Sequence, residues 1–160
     1  MYAVEELGFK YEMNDLAAAM GLVQLGKLEQ ANTERRRLLE RYRQAFTDIE
    51  GVELLAHRDY ATSACYNAVI KVEERDELYS YLHQHGIDSN VYYYPNHLLP
   101  LYKPYTTRLP ISEAEAQRIL AIPLYPGLSA ADQDRVIGCI GDFIAGRREG
   151  GEAGKEVAVQ

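Results

Sequence analysis

Cysteines and long apolar runs are scarce in this chain. The two cysteines among its 160 residues, Cys65 and Cys139, lie outside any CxxC motif or metal-binding Cys/His spacing. We therefore predict two buried thiols, with no disulfide and no metal site. No apolar run approaches the ~20 residues that a membrane-spanning helix needs, and the N-terminus lacks the basic and apolar regions of a signal peptide. The sequence thus predicts a cytoplasmic protein with no membrane partner.

The motifs of self-contained active sites are also missing. No Gly-rich phosphate loop, HExxH or GxSxG pattern occurs. Arginines cluster in residues 34–43, but glutamates interleave them, and the formal net charge of -7 has the wrong sign for binding a phosphate backbone. We interpret this run as a solvated helix face and predict no nucleic-acid partner.

A long helix over residues 14–49 is the most prominent pattern, preceded by a leading segment of residues 1–13. Asn14 has a side chain suited to an N-cap. Apolar residues then recur every three or four positions on one face, which must be buried; they are Leu16, Ala19, Met20, Val23, Leu28, Leu38, Leu39, Tyr42, Phe46 and Ile49. The overall composition, 47% hydrophobic and 26% charged, is that of one soluble domain.

The remaining pattern predicts a small α/β domain over residues 50–146 and a disordered tail over residues 147–160. Strands are expected at residues 52–55, 64–72 and 87–93, and a helix between the last two ends at Gly86. This order predicts parallel neighbouring strands, hence an α/β fold with a small mixed sheet covered by helices. A capping box at Ser112 to Glu115 predicts a short helix to Ala121, and a final helix follows Ser129.

A cluster of polar-tipped side chains follows the last predicted strand: Tyr92, Tyr93, Asn96 and His97. The segment from Pro95 to Pro110 carries four prolines, which exclude a regular helix or strand. Since binding residues concentrate on loops that a scaffold holds rigid, we interpret the cluster as a ligand site. The alternative is that the tyrosines pack at the edge of the core with their hydroxyl groups in water.

Three stretches resemble the last third of the DegT/DnrJ/StrS aminotransferases, which are pyridoxal-phosphate enzymes acting mostly on nucleotide-linked keto sugars. The stretches read GFKYEMNDLAAAMGLVQL from residue 8, YPNHLLPLY from residue 94 and LAIPLYPGLS from residue 120. They occur in the family's order and span nearly all of the chain except its tail. The resemblance implies the C-terminal small domain of a fold-type-I transaminase, preceded by the long helix.

The resemblance also implies what this chain does not contain. In the family, the Schiff-base lysine, the aspartate that binds the pyridine nitrogen and most phosphate ligands lie upstream of the matched region. None of the lysines here stands in a context like the catalytic lysine motif. Pyridoxal phosphate is therefore expected only with a large domain supplied elsewhere, and no catalytic residue is predicted in this chain.

By the same resemblance, Lys10 is a cofactor-binding candidate. It stands where the family usually has an asparagine that reaches the phosphate of the partner subunit's cofactor; its alternative is an exposed loop lysine. Glu12 departs from the arginine or asparagine that is common at its position. The resemblance places Tyr92, Tyr93 and His97 near the entrance for a nucleotide sugar.

The implied partners are a second copy of the chain, giving a homodimer, or the missing N-terminal large domain. In the family the first half of the long helix packs against that domain. Besides an aminotransferase portion, two alternatives remain open: a catalytically inactive binding or oligomerisation module, and part of a sugar dehydratase.

Overall fold

A long N-terminal helix is present, as predicted. The computed structural model describes residues 6, 8–55, 58, 60–105 and 107–156, with the side chains described up to residue 147. Helix α1 spans Asp15–Phe46, and the Asn14 side chain accepts a hydrogen bond from the Ala17 N–H at 2.8 Å. The helix ends three residues before the predicted Ile49. Within the described residues, no helix has the length and apolar character to cross a membrane.

A three-stranded sheet follows the long helix, in the order β1-β2-β3. The strands are β1 (Glu53–Leu54), β2 (Ala68–Lys71) and β3 (Ile119–Ile122). Both neighbouring pairs are antiparallel, with Glu53 opposite Lys71 and Ala68 opposite Ile122. The predicted α/β class with a small sheet is confirmed, but the described strand pairs are all antiparallel and the sheet is not mixed.

The prediction of a strand over residues 87–93, parallel to its neighbour, is wrong. That segment contributes one isolated antiparallel bridge, in which Asn90 and Ala121 exchange backbone hydrogen bonds of 3.0 and 2.8 Å. Strand β3 instead pairs with β2, although the sequence pattern predicts a helix over part of it. A short apolar run does not distinguish a buried strand from the end of a buried helix, which explains the error.

Four further elements lie between β2 and β3 in the sequence. Helix α2 spans Arg75–Gln84, and the proline-rich segment forms two 3₁₀ helices at Asn96–Leu98 and Pro100–Tyr105. Helix α3 spans Pro110–Ala116, so Ser112 lies inside the helix and the prediction of a capping box at Ser112 is wrong. Proline suits the first position of a helix because it needs no N–H partner there.

Helix α4 spans Ala130–Glu156. Its start is as predicted, because the Ser129 hydroxyl accepts a hydrogen bond from the Asp132 N–H at 3.0 Å. Its backbone is helical through residue 156, and extending an existing helix avoids the cost of nucleating one. The sequence pattern predicts disorder over residues 147–160, of which residues 157–160 lie outside the described residues.

The core lies between the second half of α1, the sheet, α2 and α4. Its buried members include Leu38, Leu39, Tyr42 and Phe46 of α1, Ile70 of β2, Leu78 and Leu82 of α2, Leu120 of β3, and Val136 and Ile140 of α4. The first half of α1 is outside this core, since Leu16, Met20 and Val23 are all exposed. The predicted burial of the helix face therefore holds within this chain only for its second half.

Two buried polar side chains of the core are hydrogen-bonded between elements. Tyr42 is fully buried, and its hydroxyl donates to the Pro123 carbonyl at 2.9 Å, while burial raises the pKa of that hydroxyl. Gln133 of α4 is also fully buried, and its Nε2 donates to the Leu38 carbonyl at 2.7 Å. These bonds connect α1 to the end of β3 and to α4.

We expect Tyr42→Phe to destabilise the fold by about 1 to 2 kcal/mol, because it leaves the Pro123 carbonyl without its donor. The same substitution at Tyr66, which is 77% exposed, is the control and is expected to change stability by less than about 0.5 kcal/mol. Urea unfolding of the two variants beside the parent measures the difference. Equal effects at both positions would contradict the role assigned to the Tyr42 hydroxyl.

Candidate functional site

Three of the predicted site residues line one open cavity of about 680 Å³. Tyr93, Asn96 and His97 form one wall together with Tyr94 and Pro95. The opposite wall is the start of α3, where the lining residues are Leu109 and Ser112. The structure thus brings together three of the four residues of the predicted polar cluster and adds a second wall, at the start of α3, that the sequence does not indicate.

The local backbone holds this wall in place. The first 3₁₀ helix closes with hydrogen bonds from the Leu98 N–H to the Pro95 carbonyl at 2.9 Å and from the Leu99 N–H to the Asn96 carbonyl at 3.0 Å. Pro95 fixes its own backbone φ and restricts the residue before it. Asn96 and His97 therefore stand on a short, internally bonded turn, and Tyr93 lies two residues before it.

His97 contacts Glu113 of α3. Its side chain is 13% exposed, and its Nε2 lies 3.0 Å from the Glu113 Oε1. The same carboxylate oxygen accepts a hydrogen bond from the Leu109 backbone N–H at 2.9 Å. Glu113 therefore joins the two walls of the cavity.

Two hydrogen bonds lower the pKa of the Glu113 carboxyl below its ordinary value. The larger effect comes from the Leu109 N–H and the smaller one from His97. A carboxyl with a depressed pKa in the folded state stabilises the fold above its unfolded-state pKa. That contribution disappears as the pH falls through the folded-state pKa. The contacts between the two walls are thus strongest when Glu113 is ionised.

Tyr92 lies apart from the other three residues. It lines a different cavity, of about 450 Å³, beside Ser89, Asn90 and the Pro123 to Tyr125 segment. Its ring remains close to that of Tyr93, with centroids 5.0 Å apart. The four predicted site residues are therefore divided between two neighbouring cavities.

Lys10 is exposed in the segment that precedes α1. Its Nζ lies 3.9 Å from the Glu12 Oε2, and the two side chains are 86% and 72% exposed. It is not among the residues lining the cavity of Tyr93 and His97. An exposed ammonium group of this kind suits a phosphate ligand from another domain or subunit, and its role stays a prediction.

The described lysines do not provide a site for pyridoxal phosphate by themselves. Lys27 and Lys103 are exposed, and the Lys71 Nζ lies 2.8 Å from the Glu115 Oε2 and 3.9 Å from the Glu53 Oε1. An imine-forming lysine is activated by apolar or cationic surroundings, the opposite of this pair of carboxylates.

The thiols and possible metal ligands give no further site. Cys65 is buried as predicted, whereas Cys139 is only half-buried, and neither forms a disulfide. Among the described residues, no group of three or more histidine, cysteine, aspartate or glutamate side chains is arranged to hold a metal ion.

Glu113 is a residue of the candidate site that the sequence pattern does not single out. The pattern places it inside the predicted capping box from Ser112 to Glu115. Its contact with His97 joins residues that are 16 positions apart. Nothing in the local pattern indicates such a contact, which depends on how the proline-rich segment folds back onto α3.

Comparison with known proteins identifies relatives over most of the chain. A model described as the DegT/DnrJ/EryC1/StrS aminotransferase family matches residues 1–141. A solved DegT DnrJ EryC1 StrS aminotransferase from Brucella abortus is 36% identical with a TM-score of 0.82, covering 89% of this chain and 39% of that one. The aminotransferase TlmJ from Streptoalloteichus hindustanus is 30% identical with a TM-score of 0.84, covering 90% and 40%.

The sugar aminotransferase CalS13 from Micromonospora echinospora shares the fold as well. It is 26% identical with a TM-score of 0.82, and the match covers 88% of this chain and 38% of that one. This chain therefore spans about 40% of the length of these relatives.

Proposed function

The chain belongs to the DegT/DnrJ/EryC1/StrS aminotransferase family, and we propose that it forms the C-terminal part of a pyridoxal-phosphate-dependent aminotransferase acting on nucleotide-linked keto sugars. The family match over residues 1–141 is the observation that carries this proposal. The shared fold with a protein described as a sugar aminotransferase supports the substrate class.

The cofactor would be bound by a large domain outside this chain. Enzymes of this family depend in general on pyridoxal phosphate, whose bound form acts as an electron sink for transferring an amino group. The described lysines lack the surroundings of an imine-forming amine, so no step of that chemistry is assigned to them. This chain's contribution is to bind and orient, with Lys10 supplying a positive charge toward the cofactor phosphate across a subunit boundary.

The substrate would enter beside the cavity of Tyr93, Asn96 and His97. Its lining offers two phenol groups, an amide and an imidazole on a stiff turn. Such a surface presents donors and acceptors with little loss of conformational entropy when a polar ligand binds. Tyr92, which lines the adjoining cavity, would contribute from the neighbouring position in the chain.

The first half of α1 would bind both proposed partners. Leu16, Met20 and Val23 recur at steps of four and three and share one side, while Leu22 and Leu25 point to the other side. All five are more than half exposed here. A helix that is apolar on opposite sides is normally covered on both, and we assign the two sides to the large domain and to a second copy of the chain.

We expect no stoichiometric pyridoxyl-lysine in the 160-residue chain after incubation with pyridoxal phosphate and reduction with borohydride, because no described lysine has the surroundings that activate an amine. Peptide mapping by mass spectrometry reads the result. Scattered substoichiometric labelling of exposed lysines is the expected background. A Lys10→Gln variant, which removes one exposed lysine, shows how much of that background comes from Lys10. A single fully labelled lysine would contradict the assignment of the cofactor to another domain.

We expect the chain to form a dimer or larger oligomer through the exposed side of α1. Burying an apolar side chain contributes ~1.5 to 3 kcal/mol. Burial of four or five such side chains therefore offsets a large part of the free-energy cost of association. Val23→Glu should lower the sedimentation mass at a given concentration. Ser80→Glu, which adds the same charge at an exposed position of α2, is the control and should not. A monomeric parent chain would remove the proposal of self-association.

We expect His97→Ala, in the enzyme completed by its large domain, to raise KM for the nucleotide sugar by about ten- to a hundredfold with little change in kcat. The loss of one hydrogen bond to a charged group, ~1.5 to 3 kcal/mol, gives this range. His83→Ala, at the end of α2, is the control. A variant with a lower Tm and an unchanged KM would reassign His97 to packing.

A further inference from the structure

One carboxylate oxygen connects both walls of the candidate site. The Glu113 Oε1 lies 3.0 Å from the His97 Nε2 and accepts from the Leu109 N–H at 2.9 Å. The Glu113 N–H in turn donates to the Leu109 carbonyl at 2.9 Å, so the glutamate is bound to the start of α3 in both directions. His97 is therefore attached to a residue that two hydrogen bonds hold to Leu109 of the opposite wall.

The protonation of the pair follows from the chemistry of the carboxylate. An ionised carboxylate only accepts hydrogen bonds, and the backbone N–H of Leu109 together with the imidazole favours the ionised form of Glu113. Since Glu113 has no proton to donate, the hydrogen between the two side chains belongs to the His97 Nε2. In the neutral ring, Nδ1 then carries the lone pair.

We propose that Glu113 is a positioning residue that holds His97 in the tautomer protonated at Nε2 and fixes the loop of His97 against the start of α3. The proposal rests on the proposed function only for the claim that His97 meets the substrate. The tautomer and the contact between the walls are properties of this chain alone.

The direct test is the protonation of the His97 ring in the 160-residue chain with ¹⁵N-labelled histidine. The chain has four histidines, and a His97→Gln variant assigns the signal. Long-range ¹H–¹⁵N correlations at alkaline pH should show His97 protonated at Nε2, with a slowly exchanging Nε2 proton. A ring protonated at Nδ1 would overturn the proposal.

Two variants and a control separate the roles of Glu113. Glu113→Ala removes the acceptor, so the slowly exchanging proton should be lost and the ring should become a tautomer mixture. Glu113→Gln keeps an acceptor oxygen and should retain the Nε2-protonated ring. Glu115→Ala, which removes the partner of Lys71 on the same helix, should leave His97 unchanged. An unaltered His97 signal in Glu113→Ala would overturn the proposal, and if that variant does not fold, the parent and Glu113→Gln spectra decide.

Kinetics of the completed enzyme test the functional consequence. Glu113→Ala should raise KM in the same direction as His97→Ala, by about tenfold, and the double variant should be no worse than His97→Ala because both act through one contact. Full additivity of the two effects would contradict positioning through His97. If His97→Ala leaves KM unchanged, the proposed substrate site fails, whereas the ring measurement still decides the role of Glu113.

Discussion

The unequal burial of α1 is the constraint on which the rest of the structure depends. The helix is continuous over 32 residues, but the domain behind it covers only the second half. Tyr42 and Gln133 bond the buried half to the end of β3 and to α4. Because the helix is continuous, the packing of its second half also fixes the axis of its first half. It therefore determines where Leu16 to Leu25 project into solvent. The fold and the surface left for partners therefore have the same origin.

The candidate site depends on the sheet in a similar way. Strand β3 and the Asn90 bridge fix the point at which the chain leaves the sheet before Tyr92. From there the proline-stiffened turn carries His97 back to α3, where Glu113 binds it. The site therefore combines two loops that are distant in sequence, each anchored at one end by a backbone hydrogen-bond pattern.

The sequence predicted what local chemistry determines. The N-cap at Asn14 and the final helix after Ser129 follow from side chains close to the positions they govern. The pairing of β3 with β2 and the His97 to Glu113 contact depend on distant partners, and an apolar run such as residues 119–122 suits a strand or a helix equally well. Only the resemblance to a family indicates Lys10 as a cofactor-binding candidate, because no local pattern distinguishes it from an exposed loop lysine.

The distribution of exposed residues argues against an independent binding module. Such a module would need to hide only one apolar side of α1, and a second copy meeting it through a two-fold axis would cover that side. Leu22 and Leu25 would remain exposed on the other side. The proposed large domain, packed there, would cover these leucines, and its cofactor phosphate would give the exposed ammonium group of Lys10 a partner besides Glu12. The one proposed domain would thus account for an apolar and a charged feature of the N-terminal part of the chain.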